Sequence, residues 1–185
     1  MDEAGQIIAR LGLVPHPEGG WYRQTWVGPE IGRASGAGSG RASVRGSGTG
    51  FMPHSGPETG PETWPKTGPE TGPDLGRASG TAILFLLAAG ERSHWHRVDA
   101  DEIWLFHAGA PLLVSIGADE TGCAEIRLGP DVLGGDLVQG IVPAGWWQAA
   151  RTTGDWSLVS CTVSPGFRFA GFELAAPGFD IPVRA

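Results

Sequence analysis

His94, His96 and Glu102 set two imidazoles one residue apart and a carboxylate six residues further on, within the segment SHWHRVDADEIWLFHAG that runs from 93 to 109. In a β-strand the side chains repeat every two residues, so His94 and His96 are expected on one face. A hairpin turn at Val98 to Ala100 returns Glu102 on the neighbouring strand toward the same space. Two imidazole nitrogens and a carboxylate oxygen are donors that a borderline divalent ion takes at about 2.2 Å. The same groups also suit proton transfer without a metal. A histidine near a carboxylate can act as a general base, the carboxylate fixing its tautomer and raising its pKa. His96 is then the base that removes a proton beside a carbonyl, and Glu102, or Asp101 if it turns inward, is the orienting acid. A proton donor is needed on the opposite substrate face, and Tyr22 is the only phenol in the chain. A third use is binding alone, in a pocket lined by Phe85, Trp104, Phe106 and Trp147, with Glu18 and Arg23 at its mouth.

The elements that must position these residues are short and mostly extended. Asp2 to Leu11 carries acids in its first turn, apolar Ile7, Ile8 and Leu11, and Gly12 as a stop, which predicts one short helix. Strands are expected at Trp21 to Val27, Thr81 to Leu87, Ser93 to Arg97, Glu102 to His107, Leu112 to Ile116, Ala124 to Leu128, Leu137 to Val142, Trp147 to Arg151, Trp156 to Val163 and Gly171 to Leu174. So many strands on one core predict a sandwich or barrel. Along the strand from Glu102, alternation places Trp104 and Phe106 on the side of Glu102 and turns Ile103, Leu105 and His107 away. Trp104 is thus the best ligand-stacking wall, although large core filler is the ordinary role of a tryptophan. The turn His16 to Gly20 reads as structural, its glycines allowing positive φ. Arg97 is placed to pair with Asp99 or Asp101, and Arg168 to meet either an anionic substrate group or a surface acid.

Composition narrows the partners. A net charge of -7 on 185 residues argues against nucleic acid and anionic membranes and leaves a small molecule. Cys123 and Cys161 stand far apart in no metal-binding spacing, and two reduced thiols are expected. The first residues have no signal-peptide form and no apolar run reaches the roughly 20 residues of a membrane span, so a cytoplasmic protein is expected. Residues 28–80 differ from the rest. They hold fourteen Gly and seven Pro in 53 residues, GRASG twice, and a four-residue period (PETG, PETW, PKTG, PETG, PDLG) from Pro57 to Gly76. With little to bury, this stretch reads as a disordered insertion between residues 1–27 and 81–185 of one domain. A recognition motif around Trp64 is the alternative, and His54 has no supporting neighbours.

These residues resemble a known family. The stretch from Gly90 is similar to the first cupin motif, G-x5-HxH-x3-4-E-x6-G, matching at His94, His96, Glu102 and Gly109. Three residues, not five, separate Gly90 from His94, and five separate His96 from Glu102. The second motif, PxGxxH, is resembled by Pro143, Gly145 and Gln148, with glutamine in the place of the histidine ligand. The order of PHPEGGWYRQTW, TAILFLL, HRVDADEIWLFHAG, VPAGWWQAAR and SLVSCTVSPGFRFAGFEL is similar to the cupin-superfamily branch catalogued as a domain of unknown function. That resemblance implies an all-β double-stranded β-helix, or jelly roll, with the short N-terminal helix, commonly as a homodimer. It implies no settled reaction, since members look structurally similar to sugar-nucleotide epimerases and to seed-storage cupins. It also implies a metal set of His94, His96, Glu102 and Gln148 for Fe, Mn, Ni or Zn, with Gln148 giving an amide oxygen. The expectation is a cupin binding a small polar metabolite in the barrel. Three readings stay open: a divalent-metal enzyme, a metal-independent epimerase-like or isomerase-like enzyme, and a binding protein without turnover.

Overall fold

The structure is a computed structural model that describes residues 2–31 and 76–184. Helix α1 (Glu3–Leu11) begins at Asp2, whose carboxylate accepts the Gly5 N–H at 2.8 Å, and ends at Gly12 in the left-handed conformation, φ 63°. Such an N-cap stabilises a helix by about 1 kcal/mol. Among the described residues eleven strands come after it: β1 (Val14–Pro15), β2 (Trp21–Val27), β3 (Thr81–Ala88), β4 (Arg92–Val98), β5 (Asp101–Gly109), β6 (Leu112–Gly117), β7 (Ala124–Leu128), β8 (Gln139–Val142), β9 (Trp147–Thr152), β10 (Trp156–Ser164) and β11 (Phe172–Leu174). All ten expected strands form, most within a residue or two of the expected ends; β1 is an addition too short to show a period. Among the described residues no helix is long and apolar enough to cross a membrane.

The strands make two antiparallel sheets, in the orders β1-β2-β3-β10-β5-β8 and β11-β4-β9-β6-β7. Their inner faces share a core of Phe85, Leu87, Trp104, Val114, Leu128 and Val159, each 1% exposed or less. This is the jelly-roll arrangement, in which inward side chains of both sheets interdigitate. Helix α1 lays Ala4, Ile7, Ile8 and Leu11 on Leu84, Leu86 and Leu158, on the outer side of the six-stranded sheet. The residues around Ala175 and Ile181 cover the outer side of the other sheet with Trp95 and Trp147.

Two expectations about position change here. The Val98 to Ala100 turn joins sheets instead of closing a hairpin: β4 pairs with β9 and β11, whereas β5 pairs with β8 and β10. His96 and Glu102 therefore face each other from opposite walls. The insertion expected over 28–80 is also structured at both ends. The Gly28 N–H donates to the Gly80 carbonyl at 2.8 Å and the Ile31 N–H to the Arg77 carbonyl at 2.7 Å, continuing the β2–β3 ladder. Arg77 is buried, its guanidinium on the Gly166 carbonyl at 2.6 Å and on Asp99 at 2.7 Å. The repeat, Trp64 and His54 lie outside the described residues.

Candidate functional site

The turn between β1 and β2 supplies the first groups. Gly19 and Gly20 take φ of 104° and 72°, and a Cβ on Gly19 would collide with the Arg92 carbonyl, so glycine is required for the turn to lie on β4. The turn is further tied by the His94 N–H, which donates to the Glu18 carbonyl at 2.7 Å. His16 and Glu18 are thereby pressed into the open end of the barrel, Glu18 only 8% exposed.

Strand β4 supplies the next. It carries a register shift between Ser93 and His96 where it pairs with β9. An extra residue in one strand breaks the period of two and re-aims the side chains beyond it. Ser93 and His96, three apart, consequently both point inward to Glu18: the Ser93 hydroxyl donates to Oε1 at 2.8 Å, and His96 Nε2 lies 3.3 Å from Oε2. His94 goes elsewhere. Its Nε2 lies 3.3 Å from the Ala176 carbonyl, and its side chain borders an outer cavity with Arg92 and Arg151. The expected shared face of His94 and His96 is overturned by this bulge.

Hydrogen-bond polarity fixes the protons. His96 Nδ1 lies 2.8 Å from the His94 carbonyl, which can only accept, so Nδ1 carries the hydrogen and Nε2 of the neutral ring offers its lone pair. His16 Nδ1 accepts the Glu18 N–H at 3.4 Å and stands 3.4 Å from Oε2. The His96 Nε2 lone pair thus faces a carboxyl oxygen, and a proton on that oxygen completes a hydrogen bond between them. Burial agrees. It pushes Glu18 up from the ordinary carboxyl range, against the pull of His16 and Ser93. It pushes His96 down from the ordinary imidazole range, against the pull of Glu102. His16 is lowered for the same reason. Burial thus favours the neutral form of both the acid and the base.

Across the barrel, Gln148 is 1% exposed and has both ends committed. Its Oε1 accepts the Trp104 indole N–H at 2.8 Å, and its Nε2 donates to Glu102 at 2.6 Å. An indole N–H only donates, so the amide cannot be reversed. The expected fourth metal ligand is corrected accordingly: its oxygen is used, and a nitrogen faces Glu102. With His94 outside and Gln148 turned, the expected set does not assemble, and no group of three or more His, Cys, Asp or Glu among the described residues is arranged to hold a metal ion. Those residues do not fit the metal that the motif implies. Glu102 is itself raised by burial, with the Cys161 thiol beside it.

His16, Glu18, Tyr22, His96 and Glu102 line one narrow cleft that is open to solvent. The aromatic wall comes from an unexpected quarter, since Phe167, Phe169 and Phe172 line it as an edge-on triad with ring centroids 5.1 to 6.2 Å apart. Phe172 stands 5.5 Å from the His96 ring and His16 meets Tyr22 edge-on at 4.6 Å. The expected walls lie elsewhere. Phe85 and Trp104 are packed beneath in the core, Phe106 flanks the same core, and Trp147 is on the outer side of its sheet under the Arg97 guanidinium, 4.7 Å away. Arg23 is exposed, with Nη1 near Gly12 at the end of α1, and not at the cleft mouth. Arg97 bonds Glu173, Arg168 bonds Asp99, and Asp101 accepts the Ala144 N–H. His16 had a signal in its sequence, the paired glycines of PHPEGG, which imply a turn pressed against something. The three phenylalanines had none beyond their clustering.

Comparisons place the fold among relatives. No curated protein matches the chain. Among solved structures, a protein from Shewanella oneidensis is 32% identical, with a TM-score of 0.67, over 95% of this chain and 86% of that one. A hypothetical protein from Leishmania major is 26% identical, with a TM-score of 0.68, over 96% and 90%. The family described as "Cupin superfamily (DUF985)" matches residues 5–175. With that match over most of its length and the jelly-roll fold that carries the cleft, the chain belongs to this cupin family.

Proposed function

We propose that the cleft binds a small molecule and moves a proton on it without a metal, His96 serving as base and Glu18 as the acid that returns the proton. The observation that carries this is the His96 ring, its Nδ1 fixed by a backbone carbonyl and its Nε2 held 3.3 Å from Glu18 in a buried cleft. When a ligand enters between the two groups, the neutral imidazole can take a proton from carbon beside a carbonyl with the lone pair that had faced Glu18, and the neutral carboxyl can give its own to the enolate oxygen. Tyr22, also on the cleft, is the second proton carrier. No Arg or Lys lines the cleft among the described residues, so a phosphate or carboxylate would find no countercharge there. Burying such an anion unpaired is costly. The geometry therefore favours the metal-independent reading over the metal-dependent one.

The test is solvent exchange. The protein is held in deuterium oxide with a panel of small ketones and keto-sugars, and label on carbon is followed by NMR. Exchange is expected above the buffer rate, and His96→Gln is expected to lose about a hundredfold or more of it, the ordinary size of a general-base contribution. Unchanged exchange in His96→Gln, or none with any ketone in the panel, overturns the reading.

A further inference from the structure

We propose that the molecule taken by this cleft is a small organic cation, an alkylammonium or trimethylammonium compound, held between Glu102 and the aromatic triad. The proposal rests on the reading that the barrel cleft is the ligand site, and adds the charge class of the ligand.

Among the described residues the cleft holds two carboxyls and two imidazoles and no permanent cation. Glu18 and Glu102 both line it and both are more than nine-tenths buried, while none of its lining residues is Arg or Lys. The arginines that approach its rim in sequence are committed: Arg77 and Arg168 both hold Asp99, at 2.7 Å and 3.0 Å. The donors that reach Glu102 are neutral, the Gln148 amide and the Cys161 thiol. Burial favours the neutral form of Glu102 and of the His96 ring that faces it, and an ammonium brought in by the ligand takes the place of the Glu102 proton, which leaves to solvent, as partner of the carboxylate. The walls suit the same guest. Phe167, Phe169, Phe172 and Tyr22 present aromatic surface to the cleft, and aromatic faces attract an ammonium within about 6 Å of the ring centroid. A neutral ligand of the same shape gains the burial but no charge pairing with Glu102. An anion meets two acids and no cation.

The experiment is calorimetry on the full chain with choline and with 3,3-dimethylbutan-1-ol, which has the same shape with carbon in place of the charged nitrogen, and with inorganic phosphate. Choline is expected to bind at least about tenfold more tightly than the alcohol, within what one desolvated cation–aromatic contact supplies. Phosphate is expected not to compete. Glu102→Gln should abolish the preference while leaving the alcohol's affinity unchanged, its folding verified by its thermal melt. If that variant does not fold, Phe172→Leu serves, and should weaken choline more than the alcohol. The proposal is overturned if the alcohol binds as tightly as choline, if phosphate competes with choline, or if neither choline nor the alcohol binds. Deuterium exchange on uncharged ketones without choline binding sinks this proposal alone, and choline binding without exchange sinks the acid–base reading alone.

Discussion

Gln148 holds two partners that cannot exchange roles, an indole that only donates and a carboxyl whose other neighbours are a thiol and a cleft. Replacing it by leucine keeps the volume and orphans both. Each buried group left without a partner costs about 1–3 kcal/mol, so Gln148→Leu is expected to lower unfolding free energy by an amount in that range or above it, read from urea denaturation. An unchanged midpoint and slope would show that water replaces the amide. Glu102 gives a prediction with a definite sign in pH. Its carboxyl is raised above the ordinary value of 4.5 by burial, so between 4.5 and its folded value the folded chain keeps a proton that the unfolded chain has released. The stability of the neutral acid is complete below 4.5 and is lost as pH rises through the folded value. In Glu102→Gln that loss cannot occur. The melting temperature of the variant minus that of the parent should therefore climb with pH above 4.5, and a flat or falling difference counts against a protonated Glu102. The imidazoles run the other way, since His16 and His96 are lowered from 6.5 and their contribution is lost as pH falls from 6.5 through the folded values.

At the scale of elements, the glycine turn before β2 and the bulge in β4 position the acid and the base. Gly19→Ala must move either the turn or the Arg92 carbonyl and also adopt a φ of 104°. A cost of about 1–3 kcal/mol is expected from the backbone conformation, together with loss of the deuterium exchange assigned to His96. Full stability with exchange intact would show that Glu18 does not depend on the turn. These two elements also bound what is legible in the sequence. Alternation and Gly or Pro punctuation locate the strands, because a half-buried sheet imposes a period of two on each strand separately. The helix is legible from Asp2 and Gly12 for an equally local reason. His94 departs from expectation because a bulge adds one residue to the count without any residue type announcing it. Glu102 reaches the expected space from an unexpected direction, since which sheet a strand joins is settled by closure of the whole barrel. Trp104 and Phe85 read as walls because inward-facing and cleft-facing look identical in a strand pattern; depth along the barrel separates them.

At the scale of the whole molecule, the site is assembled from chain on both sides of residues 32–75. The strands leading into and out of that segment are joined rung by rung up to Ile31 and Gly76, whose N–H donates back to the Ile31 carbonyl at 3.3 Å. The barrel therefore has its own closure at this point. Replacing residues 32–75 by two glycines is expected to leave the thermal midpoint unchanged within the roughly 0.5 kcal/mol typical of neutral surface changes, as followed by circular dichroism. A large drop would show that the segment contributes to the fold. The same closure has a consequence for how the cleft can be taken apart. A single protease cut between 32 and 75 puts His16 and Glu18 on a small fragment and His96 and Glu102 on a large one, with β2 still seated on β3. Acid and base become separable reagents, so a synthetic peptide spanning residues 1–31 can carry altered chemistry at position 18 into an otherwise unmodified barrel.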